Sequence, residues 1–141
     1  MPVHYNITTA LNMIIFVCQG FVSGPELFEA SDLAQSDQRF QYGMIILIDL
    51  LSAADNFELK DVRVAIQRMN NTAEQGHARA DIVLLSMNTR IKFLVNTMHL
   101  MPNKVPLKIK ICLTFDQAID SLGLGESKAE IVQFWDESHR A

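Results

Sequence analysis

Long apolar runs, a basic bias and metal-ligand motifs are all missing from this 141-residue sequence. The longest apolar stretches are about half of the ~20 residues that a helix needs to cross a membrane, so we expect no membrane span. The net charge is −4 and no basic stripe is present, so nucleic acid, which binds through Lys and Arg, is not an expected partner. The first residues lack the basic and apolar segments of a secretory signal, which predicts a cytoplasmic protein.

Only two cysteines are present, Cys18 and Cys112, and they fall in different predicted strands. Two distant cysteines make neither a disulfide framework nor a metal motif. If the strands follow sequence order, the two residues lie about three strands apart, which at ~4.8 Å per strand is ~14 Å. A disulfide needs Cα atoms closer than about 7 Å. We therefore predict two buried free thiols, as is usual in a reducing cytoplasm.

Signatures of catalysis and of cofactor binding are equally scarce. No two histidines stand at the spacing of a His-x-x-x-His pair. Asp81 follows His77 by four residues and Asp136 precedes His139 by three, but each pair stands alone. No Gly-x-Ser-x-Gly, P-loop or Gly-x-Gly-x-x-Gly motif occurs. We expect no metal, no cofactor and no enzymatic activity.

The sequence does have the composition of one globular domain, with 49% hydrophobic and 20% charged residues. Its central feature is the apolar run from Met44 to Ile48, which predicts a strand buried on both faces over 43–51. We expect Ile46 and Ile48 to be fully buried, together with Leu84 on the neighbouring strand. Asp49 interrupts this strand. It is either a general acid or, as we predict, an acceptor of backbone N–H groups from the loop that follows.

The remaining elements follow from apolar periodicity and from capping signals. Strands are predicted near Tyr5 and over 13–19, 43–51, 80–86 and 107–113; helices are predicted from Ser23 to Ser36, over 58–74, from Thr89 to Pro102, from Thr114 to Gly123 and from Ser127. Single helices between strands imply parallel neighbours joined by right-handed crossovers, whereas a short turn makes the first two strands antiparallel. The predicted fold class is therefore α/β, a mixed, mostly parallel sheet with the strand order following the sequence and the element order β-β-α-β-α-β-α-β-α-α.

Polar side chains gather where the predicted parallel strands end. Parallel sheets bind ligands at this edge, beside helix N-termini whose free N–H groups favour anions. The candidate ligand or partner surface, called the strand-end surface below, consists of Ser23, Ser52, Asp55, Asn56, Glu58, Lys60, Ser86, Asn88, Thr89 and Arg90. Two interpretations stay open. Ser23 and Asn88, like Thr114, simply cap helices, or the surface binds an anion with Arg90 as a fixed positive charge.

Four segments resemble the STAS domain, the fold of bacterial anti-anti-sigma factors, and most closely the small STAS-like bacterial proteins of unknown function. They are Gly20-Phe-Val-Ser-Gly24, Ile46-Leu-Ile-Asp-Leu50, Phe57-Glu-Leu-Lys-Asp-Val62 and Thr114-Phe-Asp-Gln-Ala-Ile-Asp-Ser-Leu-Gly-Leu124. The resemblance spans about residues 3–124. It implies a single STAS-like domain over 1–141, with 125–141 as an appended C-terminal helix, and a regulatory, protein-binding role.

One departure concerns the start of the second helix. In the anti-anti-sigma factors an Asp-Ser-Ser-Gly segment stands there, and a partner kinase phosphorylates a serine in it. The matching positions here, Glu58 to Asp61, hold no hydroxyl. The resemblance thus implies a regulatory or interaction module without the phosphoacceptor serine. The alternative is a sensor that binds a small anionic or lipid-like molecule at the carboxyl ends of the strands. Phe134 and Trp135 on the last helix either cover the sheet or join a homodimer.

Overall fold

The structure is a computed structural model that describes residues 2–101 and 107–140. Within these residues one sheet contains the strands β1 (Val3–Thr8), β2 (Met13–Val22), β3 (Ile45–Asp55), β4 (Ile82–Leu85) and β5 (Ile109–Cys112). The helices are α1 (Gly24–Gln35), α2 (Leu59–Glu74), α3 (Thr89–Leu100), α4 (Phe115–Ser121) and α5 (Lys128–Arg140), and a 3-10 turn (Gly125–Ser127) precedes α5. No helix in the described part of the chain is both long and apolar enough to span a membrane.

The strand order in the sheet is β1-β2-β3-β4-β5, so it follows the sequence as predicted. β1 pairs with β2 antiparallel, and every other neighbouring pair is parallel. The predicted fold class, a mixed and mostly parallel α/β sheet, is confirmed. β5 lies at an edge, where its exposed Lys110 is of the kind that discourages strand addition.

Local hydrogen bonds explain where several helices begin and end. Ser23 and Glu26 form the predicted capping box of α1: Ser23 Oγ accepts from Glu26 N–H at 3.3 Å, and Glu26 Oε1 accepts from Ser23 N–H at 3.0 Å. Thr114 Oγ1 accepts from Gln117 N–H at 3.1 Å and caps α4. Gly76 follows α2 with a φ of +80°, a conformation that glycine adopts without strain. The predicted role of Pro102 in ending α3 lies outside the described residues.

β2 and β3 are both longer than the sequence predicted. The prediction ended them at 19 and 51, but they continue side by side until Val22 pairs with Asp55. Gly20 does not stop β2, because hydrogen bonds to a neighbouring strand outweigh a weak local preference. Between Val17 and Gln19 the register shifts, so that β3 has one extra residue there. Such a bulge changes which side chains face each side of the sheet.

The helices cover the two faces of the sheet unequally. α4 and α5 lie on one face, where Leu47 of β3 is only 1% exposed. α1, α2 and α3 lie on the other face, towards which Ile46, Ile48 and Leu84 point. The prediction that these three side chains are fully buried is wrong. They are half-buried, because they pack against the core of that face on one side and border a cavity on the other.

The two cysteines are free thiols, as predicted, and α5 covers one face of the sheet. Cys18 and Cys112 are both buried and free. Phe134 of α5 is buried against the sheet, so it covers that face. α5 packs against β1 and β2. Trp135 lies between the rings of Phe115 and His139, with centroid separations of 4.4 and 4.2 Å.

An ionic contact joins β1 to the loop after α1. The Asp37 carboxylate accepts from Arg39 Nε at 3.1 Å and Nη2 at 3.0 Å, and from the Tyr5 hydroxyl at 3.0 Å. The side-chain bond from Arg39, together with its backbone N–H, holds the pKa of Asp37 well below its ordinary range. Arg39 Nη1 also donates to the carbonyl of Ile7 at 3.2 Å. This contact positions the chain that leads into β3.

Candidate functional site

Three of the predicted site residues meet directly at the carboxyl ends of β3 and β4. Asn88 caps α3, since its Oδ1 accepts from Arg90 N–H at 2.9 Å. Its Nδ2 donates to Asp55 Oδ2 at 2.9 Å, and its own N–H donates to the buried Ser86 Oγ at 3.0 Å. Asp55 Oδ1 is buried with no hydrogen-bond partner within the described residues. Asn88 therefore has two roles, because it caps α3 and also links the end of β3 to the start of α3.

The starts of α1 and α2 form the neighbouring part of the strand-end surface. Glu58 N–H donates to Asp61 Oδ2 at 2.8 Å, which caps α2 from within its first turn. Lys60 Nζ lies 3.1 Å from Glu58 Oε2, and this hydrogen bond and charge raise the pKa of Lys60. A Cβ at Gly24 would lie 2.3 Å from Asp61 Cγ, so only glycine lets α1 begin this close to α2.

The other predicted residues of the strand-end surface lie outside the contact between Asp55, Asn88 and Ser86. Ser23 has its hydroxyl committed to Glu26 Oε1 at 2.9 Å, in agreement with the capping interpretation. The N–H of Asn56 donates to the carbonyl of Val22 at 2.8 Å, which closes the gap between β2 and β3. Thr89 and Arg90 are exposed on the first turn of α3. Ser52 is exposed but lies inside the ladder opposite Gln19, three residues before β3 ends.

Sequence reasoning missed three exposed apolar side chains on the strand-end surface. Phe21 is 78% exposed near the end of β2, Met87 is 77% exposed just after β4, and Leu113 is 55% exposed just after β5. All three stand at the same edge of the sheet because their strands are parallel to one another. The sequence did carry a signal for this exposure, because each residue lies at or beyond the end of a strand, where its side chain has no layer to pack against.

A second polar contact lies on the other face, under α5. The buried Asp49 accepts from Leu51 N–H at 2.9 Å through Oδ1, so the predicted backbone acceptor role is confirmed, although Leu51 lies in the strand and not in a loop. Asp49 Oδ2 lies 2.6 Å from His139 Nε2, and His139 Nδ1 lies 2.7 Å from the carbonyl of Trp135. Both ring nitrogens are occupied, so this pair links α5 to β3 rather than facing a substrate.

The buried Asp49 also affects a neighbouring thiol. Burial, and secondarily the negative charge of Asp49, raises the pKa of Cys18 to about 12. A thiol in this state is neither a nucleophile nor a metal ligand at neutral pH. In the described residues no three His, Cys, Asp or Glu side chains group together as a metal site.

The cavity of about 260 Å³ lies between the sheet and the helices α1, α2 and α3. Its floor is formed by half-buried side chains of β3 and β4, including Ile46, Ile48 and Leu84. Apolar residues of the three helices form its walls, among them Leu27, Val62, Ala65, Met69, Leu94 and Val95. No catalytic constellation faces it among the described residues. The sequence did not predict this cavity.

Comparisons with known proteins find similar solved structures but no match by sequence. A scan against protein-family models and a search of curated proteins find no match to this chain. Among solved structures, the anti-sigma factor antagonist SpoIIAA in its unphosphorylated form is similar, with 11% sequence identity and a TM-score of 0.49. The match covers 85% of this chain and 96% of that one.

Proposed function

We propose that this protein is a non-enzymatic regulatory module that binds another protein through the strand-end surface. The observation that carries the proposal is the exposure of Phe21, Met87 and Leu113 around the polar contact between Asp55 and Asn88. Aromatic residues and Met are enriched in protein interfaces, where an apolar centre is surrounded by polar groups. The sequence resemblance to the STAS domain supports the same role.

The start of α2 supports a module that is not switched by phosphorylation at this helix. Glu58 and Lys60 form an ion pair, and the Asp61 carboxylate accepts a hydrogen bond from the N–H of Glu58. A permanent carboxylate in the first turn already supplies the negative charge that the helix N-terminus favours. We therefore propose that control comes from expression or from a ligand. Ser52, which is exposed near the same edge, is the hydroxyl whose phosphorylation would contradict this proposal.

The test compares partner recovery by matched surface variants. Met87→Ser and Leu100→Ser each remove an exposed apolar side chain, but Leu100 ends α3 at the opposite edge of the sheet. We expect a protein co-purified from the native host to be lost with Met87→Ser and with Phe21→Ser, and retained with Leu100→Ser. Equal recovery by all three variants contradicts the proposal. Phosphate on Ser52 that changes partner binding contradicts the absence of a phosphorylation switch.

A second candidate function, a small-ligand sensor, is supported by a different observation. The cavity beneath α2 leaves apolar side chains of the central strands only half-buried, and ligand sites are concave, mostly apolar and usually preformed. The buried free thiols support a reducing compartment such as the cytoplasm for either function. Homodimer formation through Phe134 and Trp135 of the last helix stays a prediction, and light scattering of the purified protein tests it.

A further inference from the structure

We propose that the cavity beneath α2 binds an anionic single-chain amphiphile, a medium-chain fatty carboxylate. The proposal rests on the second candidate function, and it names the ligand class and the site. The first observation is the incomplete burial of the central strands. Ile46, Ile48 and Leu84 line the cavity floor and are only half-buried, although they lie in the middle of the sheet and beneath a helix. An apolar ligand in this space removes that surface from water.

The volume of the cavity indicates the length of the apolar chain. An engineered apolar cavity of about 150 Å³ stays dry and binds benzene, so about 260 Å³ is ample for a larger apolar ligand. The space therefore accommodates an apolar group larger than benzene, such as a medium-length alkyl chain. Walls from three helices and a floor from two strands suit an extended, flexible chain.

The charges along the cavity differ between its two ends, which indicates where an anionic head lies. Glu58 and Asp61 line the end at the carboxyl ends of the strands. Arg79 and Lys108 line the opposite end, just before β4 and β5 begin. Lys108 is exposed, so a carboxylate beside it stays partly hydrated and avoids the cost of burying a charge. The acidic end repels the same group. The head therefore lies beside Lys108, and the chain points towards Phe57.

Arg68, a third cation in the lining, does not compete for the head group. It lies in the middle of α2, where its guanidinium pairs with Asp32 at 2.5 Å and stands 5.2 Å from the centre of the Phe28 ring. These contacts hold it at the outer side of the wall between α1 and α2. The end with Lys108 is thus the better match for a carboxylate.

The test is calorimetric titration of the purified protein with hexanoate, octanoate and decanoate. We expect each added methylene to strengthen binding about fourfold, because a buried methylene contributes about 0.8 kcal/mol. Decanol, which lacks the charge, reports the head-group contribution. We expect decanol to bind more weakly than decanoate. Equal binding of the two contradicts the anionic part of the proposal, and no binding of decanoate to the folded protein contradicts all of it.

Two matched pairs of variants locate the site. Ala65 lines the cavity and Val64, the preceding residue of α2, is exposed on its outer side, so Ala65→Phe fills the space while Val64→Phe does not. We expect the first to weaken decanoate binding at least about tenfold and the second to leave it unchanged. Ala65→Leu replaces the first variant if circular dichroism shows that the phenylalanine prevents folding. Unchanged binding to a folded Ala65 variant contradicts the assigned site.

The second pair tests the head-group position. Lys108→Glu places a negative charge at the cavity end, whereas Lys110→Glu makes the same change two residues later, outside the lining. We expect only Lys108→Glu to weaken decanoate binding, while decanol binding is unchanged by both. An equal effect of both variants on decanoate contradicts the position beside Lys108. Loss of partner binding by Met87→Ser is measured separately, so failure of the ligand proposal and failure of the partner proposal are distinguishable.

Discussion

Two neighbouring residues of β3 provide the sharpest test of the cavity. Leu47 and Ile46 point to opposite faces of the sheet, so one is packed beneath α4 and α5 and the other faces the cavity. Leu47 is 1% exposed, and Leu47→Ala should cost about 2–5 kcal/mol of unfolding free energy, the usual range for such a core truncation. Ile46→Ala should cost only about 1–2 kcal/mol, because the removed atoms already have few neighbours on one side.

Urea unfolding followed by circular dichroism measures this difference. The dependence of the unfolding free energy on urea should be the same for both variants, since neither changes the surface exposed on unfolding by much. The difference between them then appears as a lower midpoint for Leu47→Ala. Decanoate at saturating concentration should raise the midpoint of Leu47→Ala as well as that of the unchanged protein, since the ligand binds only the folded state.

Equal destabilisation by the two variants would refute the reasoning. It would mean that Ile46 is as closely packed in solution as Leu47 is. The cavity would then be closed, and the ligand proposal would lose its site.

Three further predictions concern other parts of the molecule. Gly24→Ala should lower the unfolding free energy by about 1 kcal/mol or more in urea, because its Cβ displaces the Asp61 cap, whereas Gly125→Ala, with open space around it, should not. Cys18 should resist iodoacetamide at pH 8 in the folded protein and react in urea, since its pKa is about 12; rapid reaction without urea contradicts this. The pKa of the Asp37 carboxyl is lowered in the folded protein, so its ionised form stabilises the fold at pH values above the unfolded pKa of about 4. This stabilisation is lost on acidification, and Asp37→Asn should therefore reduce the difference in unfolding free energy between pH 7 and pH 3.

The element order was predictable because its signals are local. Apolar runs mark the strands, and the capping box at Ser23 and the glycine at position 76 mark helix ends within a few residues. The ends of β2 and β3 were not predictable in the same way. Gly20 and Ser52 are poor strand residues, and they stay in strands because the two strands pair with each other. That pairing joins residues more than thirty positions apart.

The candidate site was predictable in its location and less so in its contacts. Topology alone brings the ends of parallel strands together, which places Asp55 near Asn88. The contact between Asp49 and His139 spans 90 residues and depends on where α5 docks, so the local pair of His139 with Asp136 was the pattern that spacing suggested. The cavity was missed because an apolar helix face shows which side points inwards, and does not show how closely it approaches the sheet.

The docking of α5 has a consequence for the order in which the protein folds. Each strand pairs with its neighbour in sequence, so the sheet can grow from β1 to β5 as the chain leaves the ribosome. The face that carries Met13 and Ile15 is covered by α4 and α5, and α5 is attached last, because Ser138 bonds back to β1 across more than 130 residues. During synthesis the chain therefore has a complete sheet before α5 is available to finish covering this face.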